Sequence, residues 1–215
     1  MRRFLAVIDD FYPDPDEVRR SALGLAFEEP EDVTGLRTRP YHIPGVRRLI
    51  EHSFGFAITD WDDDPTQLSE ANGSFFMSPS RGRHAEAVGV HYDSPIDWVT
   101  MVIYLTPDAA FEAGTSLWQH KATGLTFCPT RADVRRLGET REAVDARLER
   151  DSHSLVRWRE VDRVGNRYNR AVAYPAGLLH SATRHFGAGA AGGRLYQSFH
   201  FGIDWRRFGD RRQRS

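Results

Sequence analysis

The sequence predicts a mainly β fold with flanking α-helices, an antiparallel sandwich or barrel built as one domain. From about residue 73, short runs rich in β-branched and aromatic residues alternate with Gly, Pro, Ser and Asp, the texture of strands and turns. Before that point the apolar spacing is helical. The 215 residues, 40% hydrophobic and 12% aromatic, suit a single domain with a sizeable core.

Taken in order, "FYPDPDEVRRSALGLAF" reads as a turn and a helix. Asp14 can cap it, Pro15 suits the first helical position, and Val18, Ala22, Leu25 and Ala26 form an apolar stripe. A shorter helix is expected at "GVRRLIEHSF", so residues 1–72 read as a helical support. Strands follow at "GSFFMS", "AVGVHYD", "DWVTMVIYLT" and "GTSLWQH", opening a core over residues 73–203. A charged insertion at about 121–167 interrupts it, where Val134, Leu137, Val144 and Leu148 mark a helical stripe that Gly138 can break. Arg, Glu and Asp at i, i+3 and i+4 spacings there support an exposed helix; the functional alternative is a lid over a reactive site. Strands resume at "NRAVAYPAG", "LLHSATRHF" and "RLYQSFHFGI", and residues 204–215 read as a solvated basic tail.

Charge and cysteine usage narrow the function classes. With 29 basic and 30 acidic residues the net charge is −1, which gives no electrostatic case for nucleic acid or a membrane surface. Cys128 is the single cysteine, so an intrachain disulfide and a four-thiolate zinc site are both excluded. The apolar run in "MRRFLAVIDDF" ends at Asp9 and Asp10, too short for a signal peptide, and no run approaches a membrane span. A cytoplasmic location is expected.

The segment "GVHYDSPIDWVTMVIYLTP" sets the chemical question. His91 and Asp93 stand one residue apart in an apolar, strand-like context, and residues i and i+2 of a strand face one side. Such a pair is weak on its own in a chain with nine histidines. His180, in "AYPAGLLHSATRHFG", adds a second imidazole from a distant strand. Two histidines and one carboxylate are what a facial triad for non-haem Fe(II) requires, leaving three coordination positions open. His185 and His200 compete with His180 for the third place. Arg194 then lies on the next strand, where its fork of donors suits the far carboxylate of a chelating 2-oxoglutarate.

The order His91-x-Asp93, His180, Arg194 resembles the Fe(II)/2-oxoglutarate-dependent dioxygenase superfamily. "VTMVIYLTP" followed by "AGTSLW" resembles its prolyl-hydroxylase-like branch, over roughly residues 73–203. The resemblance implies a double-stranded β-helix (jelly-roll, cupin-like) core, with His91, Asp93 and His180 on Fe(II). It implies that Arg194 binds 2-oxoglutarate, with Tyr104 supplying a hydroxyl beside it. Because Asp93 is retained, it implies hydroxylation by molecular oxygen rather than halogenation. Three features depart from the family pattern. The interval from His180 to Arg194 is long and includes "GAGAAGG"; no tyrosine occurs in "FFMSPSRGRHAEAVG" as a second co-substrate contact; and the charged insertion is long for a strand connection.

The expected substrate is a small molecule, amino acid or peptide. Trp118, Asn169 and Arg170 are candidate substrate contacts, and His120 a candidate for pointing into the barrel. Two other readings use the same residues: a non-catalytic jelly-roll sensor that binds metal and 2-oxoglutarate, and a cupin metalloenzyme that needs no 2-oxoglutarate.

Overall fold

The computed structural model describes residues 4–29, 36–62, 72–94, 97–188 and 192–211. Its first helix, α1 (Pro15–Gly24), starts as the sequence predicts: the Asp14 side chain accepts from the Glu17 N–H at 2.9 Å, and Pro15 opens the helix. It stops at Gly24, so Leu25 and Ala26 fall outside it, and its buried face is Val18 and Ala22. Helix α2 (Val46–Phe54) buries Val46 and Ile50.

The ten strands are β1 (Ala6–Ile8), β2 (Leu36–Arg37), β3 (Ile58–Trp61), β4 (Ser74–Ser78), β5 (Trp98–Tyr104), β6 (Thr115–His120), β7 (Trp158–Val164), β8 (Ala171–Pro175), β9 (His180–Ala182) and β10 (Arg194–Ile203). They form two antiparallel sheets. The larger runs β1-β8-β5-β10-β4-β2, with β3 pairing the far end of β10; the smaller runs β7-β6-β9. Together they make the expected mainly β, jelly-roll core.

Alternation along the strands sorts side chains into two compartments. From β5, Val99, Met101 and Ile103 join Leu195, Phe199 and Phe201 of β10 in a core shared with Val18, Ala22, Val46 and Ile50 of the helices. Each such side chain, fully buried, stabilises the fold by about 1.5–3 kcal/mol. The opposite faces turn toward the smaller sheet, where Val102, Tyr104, Leu117, Phe127, Val172, Tyr174 and Leu178 form a second cluster. On β10 that inner face carries Arg194, Tyr196, Ser198 and His200. The polar residues of interest therefore lie along one strand face, backed by a dense apolar layer.

The charged insertion holds two helices, α3 (Arg131–Leu137) and α4 (Arg141–Asp151), separated at Gly138 with φ +68°. Thr130 and Asp133 form a capping box on α3. Val144 and Leu148 pack outside the smaller sheet, against Trp118, Leu125, Trp158 and Leu179. The insertion thus buttresses the barrel wall.

Four sequence expectations need correction. Residues 1–72 are more than a helical support, since they supply β1, β2 and β3 to the larger sheet. The charged insertion contains β7, whose interior residues are exposed, and all but Val161 charged, because it is an outer edge strand. "AVGVHYD" is not a regular strand; it makes a single bridge, His91 to His180. Finally, the expected basic tail begins with helix α5 (Trp205–Arg211), whose Trp205 and Phe208 pack on Phe4.

Candidate metal centre

His91 and His180 are joined as an antiparallel pair: the His91 N–H donates to the His180 carbonyl at 2.9 Å, and the His180 N–H returns to the His91 carbonyl at 2.8 Å. That ladder step brings two residues far apart in sequence to ring centroids 4.5 Å apart. Each imidazole then makes the same local contact. His91 Nδ1 donates to the Gly89 carbonyl at 2.9 Å and His180 Nδ1 to the Leu178 carbonyl at 2.9 Å. A carbonyl can only accept, so both rings carry a proton on Nδ1 and, when neutral, present a bare Nε2.

Asp93 sits between these lone pairs, with Oδ1 3.4 Å from His91 Nε2 and Oδ2 3.6 Å from His180 Nε2. The three ligand atoms all lie within 4.8 Å of one another. Metal–nitrogen bonds of about 2.1 Å place adjacent ligand atoms about 3 Å apart, so a small contraction brings this set onto one ion. His180 is enclosed, with 7% of its side chain exposed, whereas 53% of the His91 side chain is open. The cluster therefore lies at the barrel rim, reachable from outside through His91.

The electrostatics favour an ionised Asp93 beside a neutral His180, while Asp93 draws His91 toward its protonated form. Burial alone would raise the Asp93 pKa, but the charges of His180, His91 and His200 hold it well below the carboxylate range. Burial pushes His180 down to about 4. For His91 burial acts in the same direction, yet its hydrogen bond to Asp93 prevails and the pKa is raised.

A supporting layer was not legible in the sequence. The Thr100 hydroxyl donates to Asp93 Oδ2 at 2.6 Å. Its one proton is thereby committed, so at the 3.2 Å contact with His200 Nδ1 the imidazole is the donor. His200 is thus a partner behind the carboxylate, not a member of the cluster. Tyr92, between the two rim residues, is tied to α4 through Asp145 at 3.1 Å and Arg141 at 3.3 Å. Ser152 adds two bonds to the backbone of Val90. The insertion therefore anchors the segment that carries His91 and Asp93.

Arg194 lies deeper along the inner face and is 3% exposed. Its guanidinium is 4.4 Å from the Tyr196 ring centroid and 5.6 Å from that of Tyr104. Its Nη2 makes a long 3.4 Å contact with the Gly114 carbonyl, and its enclosed Nε has no hydrogen-bond partner among the described residues. Gly114 is required at this junction, because a Cβ there would fall 1.8 Å from the Val164 carbonyl oxygen. The Tyr104 hydroxyl is 2.7 Å from Thr115 Oγ1, which fixes it beside the arginine.

The other candidates are placed elsewhere. Trp118 points to the outer face of the smaller sheet, where its indole donates to Ser181 at 2.9 Å. Asn169, at φ +62°, clasps the Tyr12 backbone through both amide atoms. Arg170 forms a two-pronged pair with Asp9 at 2.6 and 3.0 Å. His120 is buried in the outer layer between Thr123 and Asp151 and does not enter the barrel. None of the four reaches the cluster.

A jelly roll with a rim His-Asp-His cluster and an internal arginine has the fold of the Fe(II)/2-oxoglutarate-dependent oxygenases. Among solved structures, the non-haem α-ketoglutarate-dependent carbocyclase SnoK from nogalamycin biosynthesis aligns with 94% of this chain and 80% of its own, at 12% identity and TM-score 0.54. The epimerase SnoN from the same biosynthesis aligns with 94% of this chain and 78% of its own, at 14% identity and TM-score 0.52. At these identities the likeness is one of fold. A Pseudomonas putida prolyl-4-hydroxylase, 15% identical, covers 93% of this chain and 92% of its own with TM-score 0.41. The chain belongs to the family described as a family of unknown function, DUF6445, which matches residues 1–197. No protein of curated function matches it by sequence.

Proposed function

We propose that this chain is an Fe(II)- and 2-oxoglutarate-dependent oxygenase that hydroxylates a small-molecule, amino-acid or peptide substrate. The observation that carries this reading is the pairing of two incomplete sets: three pre-aimed ligand atoms at the rim, and a buried guanidinium without an anion behind them. The first set suits a ferrous ion, being two neutral imidazoles and one carboxylate. The second suits a dicarboxylate, because an enclosed arginine left without an anion is costly.

In this reading His91 and His180 hold the metal through Nε2, and Asp93 through Oδ1. Thr100 keeps Oδ2 engaged, so the carboxylate has one free oxygen directed at the ion. The carbonyls of Gly89 and Leu178 fix both ring orientations, as outer partners of metal histidines do. Arg194 binds the far carboxylate of 2-oxoglutarate and Tyr104 orients that guanidinium. Val102, Leu117, Phe127, Val172 and Leu178 keep water from the interior between them. A ferrous ion bound there, with 2-oxoglutarate and oxygen, supplies oxidation of a carbon–hydrogen bond coupled to formation of succinate and carbon dioxide. Among the described residues no helix is long and apolar enough to cross a membrane.

The test is succinate formation from 2-oxoglutarate by the purified protein with Fe(II) in air, against a panel of amino acids and small metabolites. The expected result is metal-dependent succinate that a chelator abolishes and a true substrate accelerates. Tight 2-oxoglutarate binding with no succinate above free iron would favour the sensor reading. Turnover of a substrate without any 2-oxoglutarate would favour the cupin reading.

A further inference from the structure

Arg194 is not the one enclosed nitrogen lacking a partner at its end of the barrel. His185 Nδ1 is also buried without a hydrogen-bond partner among the described residues. Three backbone features bring the two together. The Gly114 carbonyl accepts from the Thr183 N–H at 2.9 Å and is also approached by Arg194 Nη2, so the residue two before His185 shares an acceptor with the arginine. The connection from β9 to β10 closes on itself: Gly187, at φ +69°, approaches the Gly192 carbonyl so closely that a Cβ would lie 1.8 Å from it. That neck returns the chain to the start of β10 beside the segment holding His185. Ser80, just beyond β4, pins the neck by donating to the Gly187 carbonyl at 3.1 Å. The positive charge of Arg194 is also felt at His185, which burial first and that charge second push down to about 4. The ring is therefore neutral near pH 7, able to donate one proton and unwilling to carry a second charge.

Two enclosed nitrogens in one part of the barrel, neither with a partner among the described residues, are costly, since each forfeits its hydration. We propose that His185 is a second donor to the carboxylate that Arg194 binds, acting through Nδ1–H. This rests on the reading of the site as a 2-oxoglutarate site. It gives the long interval between His180 and Arg194 a purpose: the close approach of Gly187 to Gly192 keeps the segment holding His185 near the start of β10. It also supplies the second co-substrate contact for which the stretch after β4 has no tyrosine.

The experiment is calorimetric titration of the Ni(II)-loaded protein with 2-oxoglutarate and with 2-oxopentanoate, which has the same chain length but no distal carboxylate. Wild type is expected to prefer 2-oxoglutarate strongly. His185→Leu should weaken 2-oxoglutarate about tenfold, the equivalent of one hydrogen bond to a charged group, and leave 2-oxopentanoate unchanged. His185→Asn, which restores an N–H near the same place, should recover most of the loss. The assignment to His185 is overturned if His185→Leu binds 2-oxoglutarate like wild type, or if it weakens both ligands equally, as a merely distorted pocket would. A wild-type protein that does not distinguish the two ligands would overturn the 2-oxoglutarate reading itself, and this assignment with it.

Discussion

The two ends of the barrel interior handle buried polarity in opposite ways. At the rim, the groups around the three ligand atoms are already engaged: both Nδ1 positions by carbonyls, and Asp93 Oδ2 by Thr100. At the deep end, Arg194 Nε and His185 Nδ1 are enclosed without partners among the described residues. The rim is pre-organised, so the ion proposed above would meet side chains whose orientation is already fixed. The deep end is unfinished, and the co-substrate proposed above would supply the missing acceptor. Arg170 shows what a completed arginine looks like in the same fold, since Asp9 engages it at two points. The contrast separates an arginine that holds the N-terminal segment in place from one whose Nε has no partner among the described residues.

The largest expected effect breaks the rim. Asp93→Ala removes the one anionic ligand and leaves two neutral rings. Divalent metal affinity, measured by competition with a chromophoric chelator, should fall well beyond the roughly 10–100-fold that loss of an outer partner costs. Fold stability of the metal-free protein should change little by comparison. Next in size, Arg194→Met tests the deep end. Affinity for 2-oxoglutarate should drop about a hundredfold, as expected for losing a charge-assisted pair. The ligand-free protein should at the same time be as stable as wild type or more so, by about 1 kcal/mol, because an uncompensated buried charge is gone. A variant that loses both stability and binding would place Arg194 with Arg170 as a structural arginine.

A smaller effect probes how the rim is pre-organised. Thr100→Val is nearly isosteric and deletes only the hydroxyl that engages Asp93 Oδ2. Metal affinity should fall about tenfold, the low end for an outer partner, while 2-oxoglutarate affinity of the fully metal-loaded protein stays near wild type. Equal metal binding by the variant would mean that the carboxylate is held by the imidazoles alone.

How much of this was legible in the sequence follows from what each residue depends on. The convergence of His91, Asp93 and His180 and the burial of Arg194 were legible because ligand chemistry restricts residue types and strand geometry restricts spacing. Trp118 was misread because the side its strand presents is set by pairing: Leu117 opposes His180 and faces inward, which turns Trp118 outward. Asn169 and Arg170 depend on Tyr12 and Asp9, more than 150 residues away, and no local pattern announces such partners. The short strands β1 and β2 and the charged β7 carry too little apolar alternation to stand out; their places are set by neighbours in the sheet. His185 was weighed only as a rival for the metal, because the close approach of Gly187 to Gly192 beside it is visible only once the chain is folded.

The smallest effect concerns acidification, and it distinguishes the two ends by which of them an ion can rescue. His180 and His185 are each lowered to about 4 and His200 is lowered as well, all three by burial first. In the unfolded chain each returns to about 6.5. Between these values the unfolded state binds more protons than the folded one, so the contribution of these three residues to stability is full above pH 6.5 and declines as pH falls toward 4. His91 is raised by Asp93 and works in the opposite direction, offsetting one of the three. The metal-free protein should therefore lose thermal stability from pH 7 to pH 5, with a slope of at most about 1.4 kcal/mol per pH unit for each uncompensated proton. His185→Leu should flatten that slope whether or not metal is present, because its burden lies at the deep end. Saturating Ni(II) should raise the melting temperature at pH 7 and lose this advantage on acidification, as protons compete for His91 and His180. If His185→Leu leaves the slope unchanged, the imidazole is better hydrated than its enclosed Nδ1 implies, and the asymmetry between the two ends narrows to Arg194 alone.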